Sequence, residues 1–406
     1  MVIKVLQQTK NLSFSQMPRS TVILALVLAL IRGTVATDAT DWHWNSGPLM
    51  GHPTGDSYTD DRFDLPDKSA PSGESIEKSS LGGGGDTQDF IKQQYLEGSS
   101  KECRETPPYL YVTLHDYENV LKYSLDGCLL DHAVLIGAPI EERWEFRGMA
   151  LSSDGRLFIA NAGTGEPQLM RFGKCDYDGR RSYKETVVTD DGRENPGASH
   201  AYGVAIDEES GTIYASFQHT DVVLRFDSES FRPLSLPPAL QDSSRHRDYY
   251  PGTFYQFGQP QLHSLREEGV RGLMVVGHHL WICNEDISGV LVVDTHTGVA
   301  TDVVNIEAPV GITYSAVHDL VFVGSKVKHW EGRVTAIDRR TLQIVQSYKT
   351  LKMTHPTGLQ VYGDTLFVAE QDVIRIYEFN ILTGEETSKA VDKLPGQVEA
   401  ILLSDC

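Results

Sequence analysis

Five charged or imidazole side chains stand at matching distances before glycines in this chain. Glu145, His200 and His355 each lie three residues before a glycine, and Arg147 and Arg271 each lie one residue before a glycine. One carboxylate with two imidazoles suits zinc, and a guanidinium group suits an anion. If the five meet in the fold, Glu145, Arg147 and Arg271 are candidate catalytic residues, and Glu145, His200 and His355 are candidate metal ligands. The alternative is that these groups satisfy one another in ordinary loop contacts.

These glycines belong to a repeat that begins near residue 108. Gly148, Gly203, Gly272, Gly311 and Gly358 are each followed by apolar residues and then by a second apolar segment. A third and a weaker fourth segment complete each unit. Four short strands in units of roughly 40 to 50 residues are typical of β-propeller blades. The sequence therefore predicts an all-β fold.

The two ends of the repeat region complement each other. Residues 110–123 match the second and third strands of a unit that lacks its first strand, and residues 398–402 match a first strand with nothing after it. Pairing of the C-terminal strand with residues 109–115 would close the ring and remove exposed sheet edges. We therefore predict a six-bladed β-propeller over residues 108–406. Its inner strands would line a central channel, whose mouth is the expected binding face.

Two segments carry a family resemblance. Residues 202–227, YGVAIDEESGTIYASFQHTDVVLRFD, resemble an NHL-type propeller repeat, and residues 110–124 resemble the related YVTN type. The resemblance covers residues 108–405 and implies a six-bladed propeller, shared at fold level with the SMP-30-like superfamily. It implies little about activity, because this fold serves many functions.

Two metal-dependent propeller families place their ligands directly before the inner-strand glycine. Lactonases of the SMP-30 type use Glu, Asn and Asp there for a divalent cation, and amidating-lyase propellers use zinc-binding His. At these positions the present chain departs from both patterns, with Arg147, Tyr202, Arg271, Val310 and Thr357. A shifted site made of Glu145, His200 and His355 would hold zinc or calcium in the central channel. No other cofactor is indicated.

The largest insertion in the repeat, residues 229–268, is rich in aromatic residues and arginine. We expect it to join blades three and four on the face of the channel mouth. Aromatic and Arg residues are common interface anchors, so Tyr249, Tyr250, Phe254 and Tyr255 are candidate binding residues for a protein or carbohydrate. The alternative is a loop that folds its aromatic side chains onto the propeller rim.

Composition and the N-terminal region bound the remaining possibilities. The 406 residues include 36 Lys and Arg against 56 Asp and Glu, a formal net charge of −20, which disfavours nucleic-acid binding.

Residues 1–36 have basic residues, an apolar run over 22–31 and no acidic residue. They predict a secretory signal. One alternative is an uncleaved signal anchor, and another is that translation starts at Met17. The run is too short for a membrane span. Residues 37–107 are predicted to be a disordered, acidic and Gly-rich linker.

Five cysteines follow in a chain expected to enter an oxidising compartment. Because the two ends of the ring meet on one side, we expect a disulfide between Cys103 and Cys406. Cys128 and Cys175 would lie on the same side and could pair with each other. Cys283 lies within a second strand, which predicts a buried thiol.

Three functional hypotheses remain. The favoured one is a secreted or surface-associated propeller that binds an extracellular protein or carbohydrate through the channel mouth and the aromatic insertion. The second is a divergent metal-dependent hydrolase or lyase, with Arg147 or Arg271 holding an anionic substrate. The third is a ring with a purely structural role in an extracellular matrix.

Overall fold

The computed structural model describes residues 91, 93, 103, 105–115, 117–138, 144–163, 168–188, 199–241, 249–257, 269–326 and 331–406. The chain divides into two compact units, Met1–Glu77 and Lys78–Cys406, and all the described residues belong to the second. The predicted signal and most of the predicted linker lie outside the described residues. Ile91, however, is buried against blade 1, so the packed region includes residues before the predicted boundary at 108.

Six small antiparallel sheets form the blades of a propeller. They are, from the channel outward: blade 1, β25 (Val398–Ser404), β1 (Tyr109–Leu114), β2 (Leu121–Tyr123) and β3 (Leu129–Asp131); blade 2, β5 (Phe146–Leu151), β6 (Leu157–Asn161), β7 (Gln168–Cys175) and β8 (Arg181–Val188), with β4 (Leu135–Ile136) parallel at its outer edge; blade 3, β9 (Ala201–Asp207), β10 (Thr212–Phe217), β11 (Val222–Asp227) and β12 (Thr253–Gln256); blade 4, β13 (Val270–Val276), β14 (His279–Asn284), β15 (Gly289–Asp294) and β16 (Ala300–Asn305); blade 5, β17 (Pro309–Ser315), β18 (Leu320–Ser325), β19 (Arg333–Asp338) and β20 (Ile344–Tyr348); blade 6, β21 (Pro356–Tyr362), β22 (Thr365–Glu370), β23 (Arg375–Asn380) and β24 (Glu386–Val391).

Helical structure is sparse in this part of the chain. A 3-10 turn over Gln218–Thr220 connects β10 to β11, and α1 (Pro238–Gln241) is a single turn. No helix among the described residues has the length and apolar character that crossing a bilayer requires.

The C-terminal strand closes the ring, as the sequence predicts. β25 is the inner strand of blade 1 and pairs with β1 in antiparallel register, with Val112 opposite Ile401. The six inner strands all begin at the same end of the channel, and we call this end the mouth face. The prediction of a six-bladed propeller closed by its last strand is therefore confirmed.

The hydrophobic core is divided among the seams between neighbouring blades. Phe158 of blade 2 packs with Ala215 and Phe226 of blade 3, for example, and Phe322 of blade 5 packs with Val368 and Phe379 of blade 6. The second strands are buried on both faces, which explains why they appear in the sequence as continuous apolar runs. Each blade is thus held on both flanks, and the inner strands are fixed in place.

Glycines allow the inner strands to approach one another closely. A Cβ atom on Gly203 would lie 2.5 Å from the carbonyl oxygen of Arg271, and one on Gly272 would lie 2.5 Å from that of Val310. Side-chain carbons do not pack that close to a backbone oxygen, so a larger residue would push the next inner strand away. The glycines that mark the repeat in the sequence therefore set the width of the channel.

The described residues of the aromatic insertion that precede β12 lie on the face opposite the mouth. β11 runs away from the mouth and β12 returns to it, since Val222 pairs with Gln256 and Leu224 with Thr253. The described residues between these strands, 228–241 and 249–252, lie on the opposite face, where the Ala239 amide donates to the Thr297 carbonyl oxygen at 3.0 Å. The prediction that the insertion lies on the mouth face is therefore wrong for residues 229–241 and 249–252. The reason is that the fourth strand of blade 3 lies within the insertion and divides it.

The disulfide pairing also differs from the prediction. Cys103 bonds Cys128, with Cα atoms 5.9 Å apart, and Cys175 bonds Cys406, with Cα atoms 6.1 Å apart. All four lie on the face opposite the mouth, as expected, but Cys103 reaches the β2–β3 turn and Cys406 reaches the end of β7. The predicted Cys103–Cys406 bond is therefore wrong. Cys283 is a buried free thiol, as predicted.

Candidate functional site

Six side chains, one from each blade, surround the channel where the inner strands begin. Each precedes the inner-strand glycine or, in β25, Ala400. We call this set the mouth ring; in order from blade 1 to blade 6 it consists of Glu399, Arg147, Tyr202, Arg271, Val310 and Thr357. Below it, apolar residues such as Met149, Ile312 and Ile401 line a channel of about 530 Å³, solvent at its ends included. The ring controls what enters this channel from the mouth face.

Arg147 of the mouth ring binds carboxylates from two blades. Its guanidinium group contacts Glu399 of blade 1 and Glu145 of its own blade. His115, which follows β1, bridges the same two carboxylates, with Nδ1 2.9 Å from Glu399 Oε1 and Nε2 3.2 Å from Glu145 Oε1. Gln371 of blade 6 donates to Glu399 Oε1 at 2.7 Å. Burial by itself would raise the pKa of Glu399, but Arg147 and His115 hold this pKa below its ordinary value.

Tyr202 lies between the two arginines of the ring. The centroid of its ring is 4.8 Å from Arg271 Cζ and 6.0 Å from Arg147 Cζ, distances at which cations attract an aromatic face. Arg271 donates from Nε and Nη2 to Glu285 Oε2 at 2.9 and 2.7 Å. A continuous series of contacts therefore runs from Glu399 to Glu285 across blades 1 to 4, and both guanidinium groups have carboxylate partners.

Blades 5 and 6 contribute small, uncharged side chains to the mouth ring. Val310 is buried, and the Thr357 hydroxyl donates to the Val398 carbonyl oxygen at 3.0 Å. The ring is thus asymmetric, with long or aromatic side chains over blades 1 to 4 and short ones over blades 5 and 6. The short side chains leave more space at the channel mouth on that side.

Two of the predicted histidines flank the ring as neutral groups. His200 has a backbone φ of +62° and stacks on His219, with ring centroids 4.3 Å apart. Burial, together with the charges of Arg147 and Arg271, lowers the pKa of His200 to about 3. The His355 amide donates to the Glu370 carboxylate at 2.8 and 2.9 Å, and burial with the charge of Lys326 lowers the pKa of His355 to about 4. Both imidazoles are therefore uncharged at neutral pH.

Several buried polar atoms around the mouth have no hydrogen-bond partner among the described residues. They include Tyr202 Oη, His355 Nε2, Glu399 Oε2 and Arg147 Nε, in residues that are 5%, 7%, 3% and 6% exposed. Buried polar groups almost always have a partner, and leaving one unsatisfied costs about 1–3 kcal/mol. These atoms are therefore available for bonding to a molecule that enters the mouth.

The three predicted metal ligands lie on different blades at the mouth. Glu145 is engaged with Arg147 and His115, His200 stacks on His219, and His355 lies beside Glu370. Within the described ranges, no three His, Cys, Asp or Glu side chains are grouped so that they could hold a metal ion. A zinc or calcium site made of Glu145, His200 and His355 stays a prediction that this geometry does not support.

The predicted aromatic binding residues divide into two groups. Phe254 is fully buried between blades 3 and 4, where its ring packs edge-on against Tyr214 at 4.9 Å. Its role in binding stays a prediction that this burial does not support. Phe254 serves the core because β12 is an ordinary fourth strand. Tyr255 packs against Phe257 at 4.9 Å, and Tyr249 and Tyr250 are half-buried on the opposite side of the blade. For these three tyrosines, a role in binding stays a prediction.

Sequence reasoning missed His115, Glu285 and Glu399. Glu399 had a usable signal, because aligning the C-terminal strand with the other inner strands places it directly before Ala400, in register with Arg147 and Arg271. His115 and Glu285 lie at the ends of second strands, where the sequence gives no distance to the ring. Only the fold shows that Glu399 and Glu285 neutralise the two arginines and that His115 bridges Glu399 and Glu145.

The lowered pKa values of His200 and His355 predict that acid destabilises the protein. The unfolded chain binds protons at these groups near pH 6.5, whereas the folded chain does not until pH about 3 to 4. Their contribution to stability is therefore complete above pH 6.5 and is lost as the pH falls, with a slope on the order of 1 kcal/mol per pH unit for each histidine. Urea unfolding between pH 7 and about 4 should show this slope of the free energy of unfolding against pH. In His355→Gln the slope should correspond to one proton fewer taken up on unfolding. His278→Gln, at an exposed position, is the control, and an unchanged slope in His355→Gln would contradict the assignment.

Comparison with known proteins identifies the fold. No protein-family model matches the sequence, and no curated protein matches it. A chain in the crystal structure of a nidogen/laminin complex superposes with a TM-score of 0.51 at 12% identity, covering 73% of this chain and 98% of that one. A protein of unknown function from Bacteroides caccae gives a TM-score of 0.51 at 11% identity, covering 73% of this chain and 99% of that one. Identities this low show a shared propeller fold alone, and the NHL and YVTN resemblance stays a prediction.

Proposed function

We propose that the protein is a secreted or surface-associated binding module that takes a polar, non-anionic ligand at the channel mouth. The observation that carries this proposal is the set of buried, unsatisfied atoms at the mouth: Tyr202 Oη, His355 Nε2 and Glu399 Oε2, with the donor Arg147 Nε. Two disulfides indicate an oxidising compartment, which supports an extracellular location. The ligand would be carried by an extracellular protein or be a carbohydrate.

The charges of the mouth favour hydrogen-bond donors over anions. Glu399 Oε2 belongs to an ionised carboxylate and can only accept a bond, and Tyr202 Oη and neutral His355 Nε2 can each accept one. Arg147 and Arg271 are already paired with Glu145, Glu399 and Glu285, and these carboxylates repel an anion that approaches the unsatisfied Arg147 Nε. Hydroxyl and ammonium groups are the chemistry that fits. This argues against an anionic substrate held by Arg147 or Arg271.

The test compares Tyr202→Phe with the wild-type protein in calorimetric titrations. The probes are N-acetylglucosamine and the amide of N-acetyl-lysine as donors, with gluconate as the anion. We expect binding of at least one donor probe, weakened roughly tenfold or more in Tyr202→Phe, which removes one of these bonding groups. The variant should be as stable as the wild type or more so, since it removes an unsatisfied buried hydroxyl group.

Tyr314→Phe is the matched control, because its hydroxyl donates to Asp319 at 2.9 Å on the opposite face. It should bind the donor probe as the wild type does. Binding of gluconate alone, or donor binding that is unchanged in Tyr202→Phe, would contradict the proposal. Elemental analysis of the same samples tests the metal alternative, because stoichiometric zinc or calcium that is lost in His200→Ala with His355→Ala would favour the hydrolase or lyase hypothesis.

A further inference from the structure

A second candidate surface lies at the outer end of the seam between blades 5 and 6. Residues 349–355 connect β20, the outer strand of blade 5, to β21, the inner strand of blade 6, along the mouth face. With blade 6 this connection forms an open groove of about 960 Å³, solvent-facing space included, which we call the rim groove. Its lining consists of Lys349, Thr350, Leu351, Lys352, Arg375, Tyr377 and Glu386.

The rim groove is locally basic on a strongly acidic protein. Three cations line it against the single carboxylate of Glu386, although the chain as a whole has a net charge of −20. Arg375 lies 3.5 Å from the Asp392 carboxylate, whereas Lys349 and Lys352 have no acidic partner among the described residues. Two exposed lysines with free charge are therefore directed to the solvent in this groove.

An apolar side chain stands between these two lysines. Leu351 is 104% exposed, the highest value among the large hydrophobic side chains that the structure describes. Its position is fixed on both sides, because Tyr348 and Met353 are buried and the Tyr348 hydroxyl donates to the Ile381 carbonyl oxygen at 2.8 Å. The Met353 amide closes the turn by donating to the Thr350 carbonyl oxygen at 3.2 Å. Leu351 is therefore presented by a supported turn, which reduces the entropy cost of binding.

A sheet edge borders the groove, because Glu386 of its lining begins β24, the outermost strand of blade 6. Among the described residues β24 pairs with β23 alone, so its other edge has no strand partner there. An extended peptide adds readily to such an edge, with its side chains reaching neighbouring pockets. The free edge, the unpaired lysines and the exposed leucine together define what would fill the groove.

We propose that the rim groove binds an extended, acidic segment of a partner protein, with carboxylates on Lys349 and Lys352 and an apolar residue on Leu351. Charge complementarity favours this partner, because the basic lining of the groove attracts carboxylates on a chain whose net charge is −20. The proposal does not depend on ligand binding at the channel mouth. It assigns a second binding site on the same face.

The probe for the test is a capped peptide of alternating Glu and Leu, compared with capped peptides of alternating Lys and Leu and of alternating Glu and Ser. We expect the Glu and Leu peptide to bind in calorimetric titrations, and the binding to weaken as salt rises. Lys349→Glu with Lys352→Glu should weaken it at least tenfold, and Leu351→Ser about threefold. All three residues are exposed, so these variants should fold as the wild type does.

The matched control is Lys174→Glu with Lys184→Glu, which reverses two exposed lysines on blade 2. It should bind the Glu and Leu peptide within twofold of the wild type, and so should Tyr202→Phe. Equal loss in the control pair would show general electrostatic attraction and overturn the proposal. No binding of the Glu and Leu peptide, or equal binding of the Lys and Leu peptide, would overturn it as well.

Discussion

Replacing Cys175 and Cys406 together by serine is expected to lower the free energy of unfolding by about 5 kcal/mol. The bond joins residues 231 apart in the chain, so in the chain-entropy model its loss frees a very large loop in the unfolded state. It also holds the closing strand, because Cys406 follows β25 by two residues and Cys175 ends β7 of blade 2. Urea unfolding in non-reducing buffer measures the effect.

The second disulfide supplies the control for this prediction. Cys103 and Cys128 are only 25 residues apart, and the same model gives about 3.5 kcal/mol for Cys103→Ser with Cys128→Ser. The critical result is which of the two double variants loses more free energy of unfolding. A larger loss for the Cys103–Cys128 pair, or peptide mapping that links Cys103 to Cys406, would contradict the pairing described here.

The closed ring could be predicted from the sequence because its signals are local and repeated. A glycine before each inner strand is required by the approach of one backbone to the next, so it recurs wherever the geometry does. The unit that begins at residue 110 lacks a first strand, and the strand that begins at residue 398 has no unit of its own. The two must therefore form one blade. Closure by β25 follows from these observations without any distance information.

The disulfide pairing and the position of the insertion could not be predicted in the same way. All four bonded cysteines lie on one face, so direction along the strands alone leaves several pairings open. The order of residues shows which face Cys406 reaches, but it does not show that β7 is long enough to bring Cys175 next to it. For the insertion, β12 has only four residues, which is too short for the alternation of a strand to show, and the sequence therefore favours binding over the core for Phe254.

The sequence predicts which residues lie at the candidate site better than it predicts their charge states and partners. Arg147, Arg271, His200 and His355 do lie around the channel mouth, because their distance in sequence from the inner-strand glycine fixes their position along the channel. Their charge state depends on neighbours from other blades, such as Glu399 and Glu285, that are far away in the sequence. Fixed spacing thus locates a side chain, whereas only the packing of the blades determines what it can bind.

Arg147→Met is the second change with a large expected effect, a loss of about 3–5 kcal/mol in the free energy of unfolding. Glu399 has a side chain that is 1% exposed, and without Arg147 its carboxylate would lose its principal cation. Burial would then dominate and raise the pKa of Glu399. A raised pKa in the folded state stabilises the fold at low pH, so the deficit of the variant should become smaller as the pH falls through this raised pKa.

A double variant distinguishes a buried ion pair from simple loss of packing. Arg147→Met with Glu399→Leu removes both charges and should recover more than half of the lost stability, since apolar pairs replace buried ion pairs at little cost. Arg340→Met is the control, because Arg340 is 76% exposed and its contact with Asp319 at 2.7 Å should contribute no more than about 1 kcal/mol. If Arg147→Met costs as little as Arg340→Met, the mouth ring is hydrated. Water could then satisfy Tyr202, His355 and Glu399, and these residues would no longer indicate a ligand.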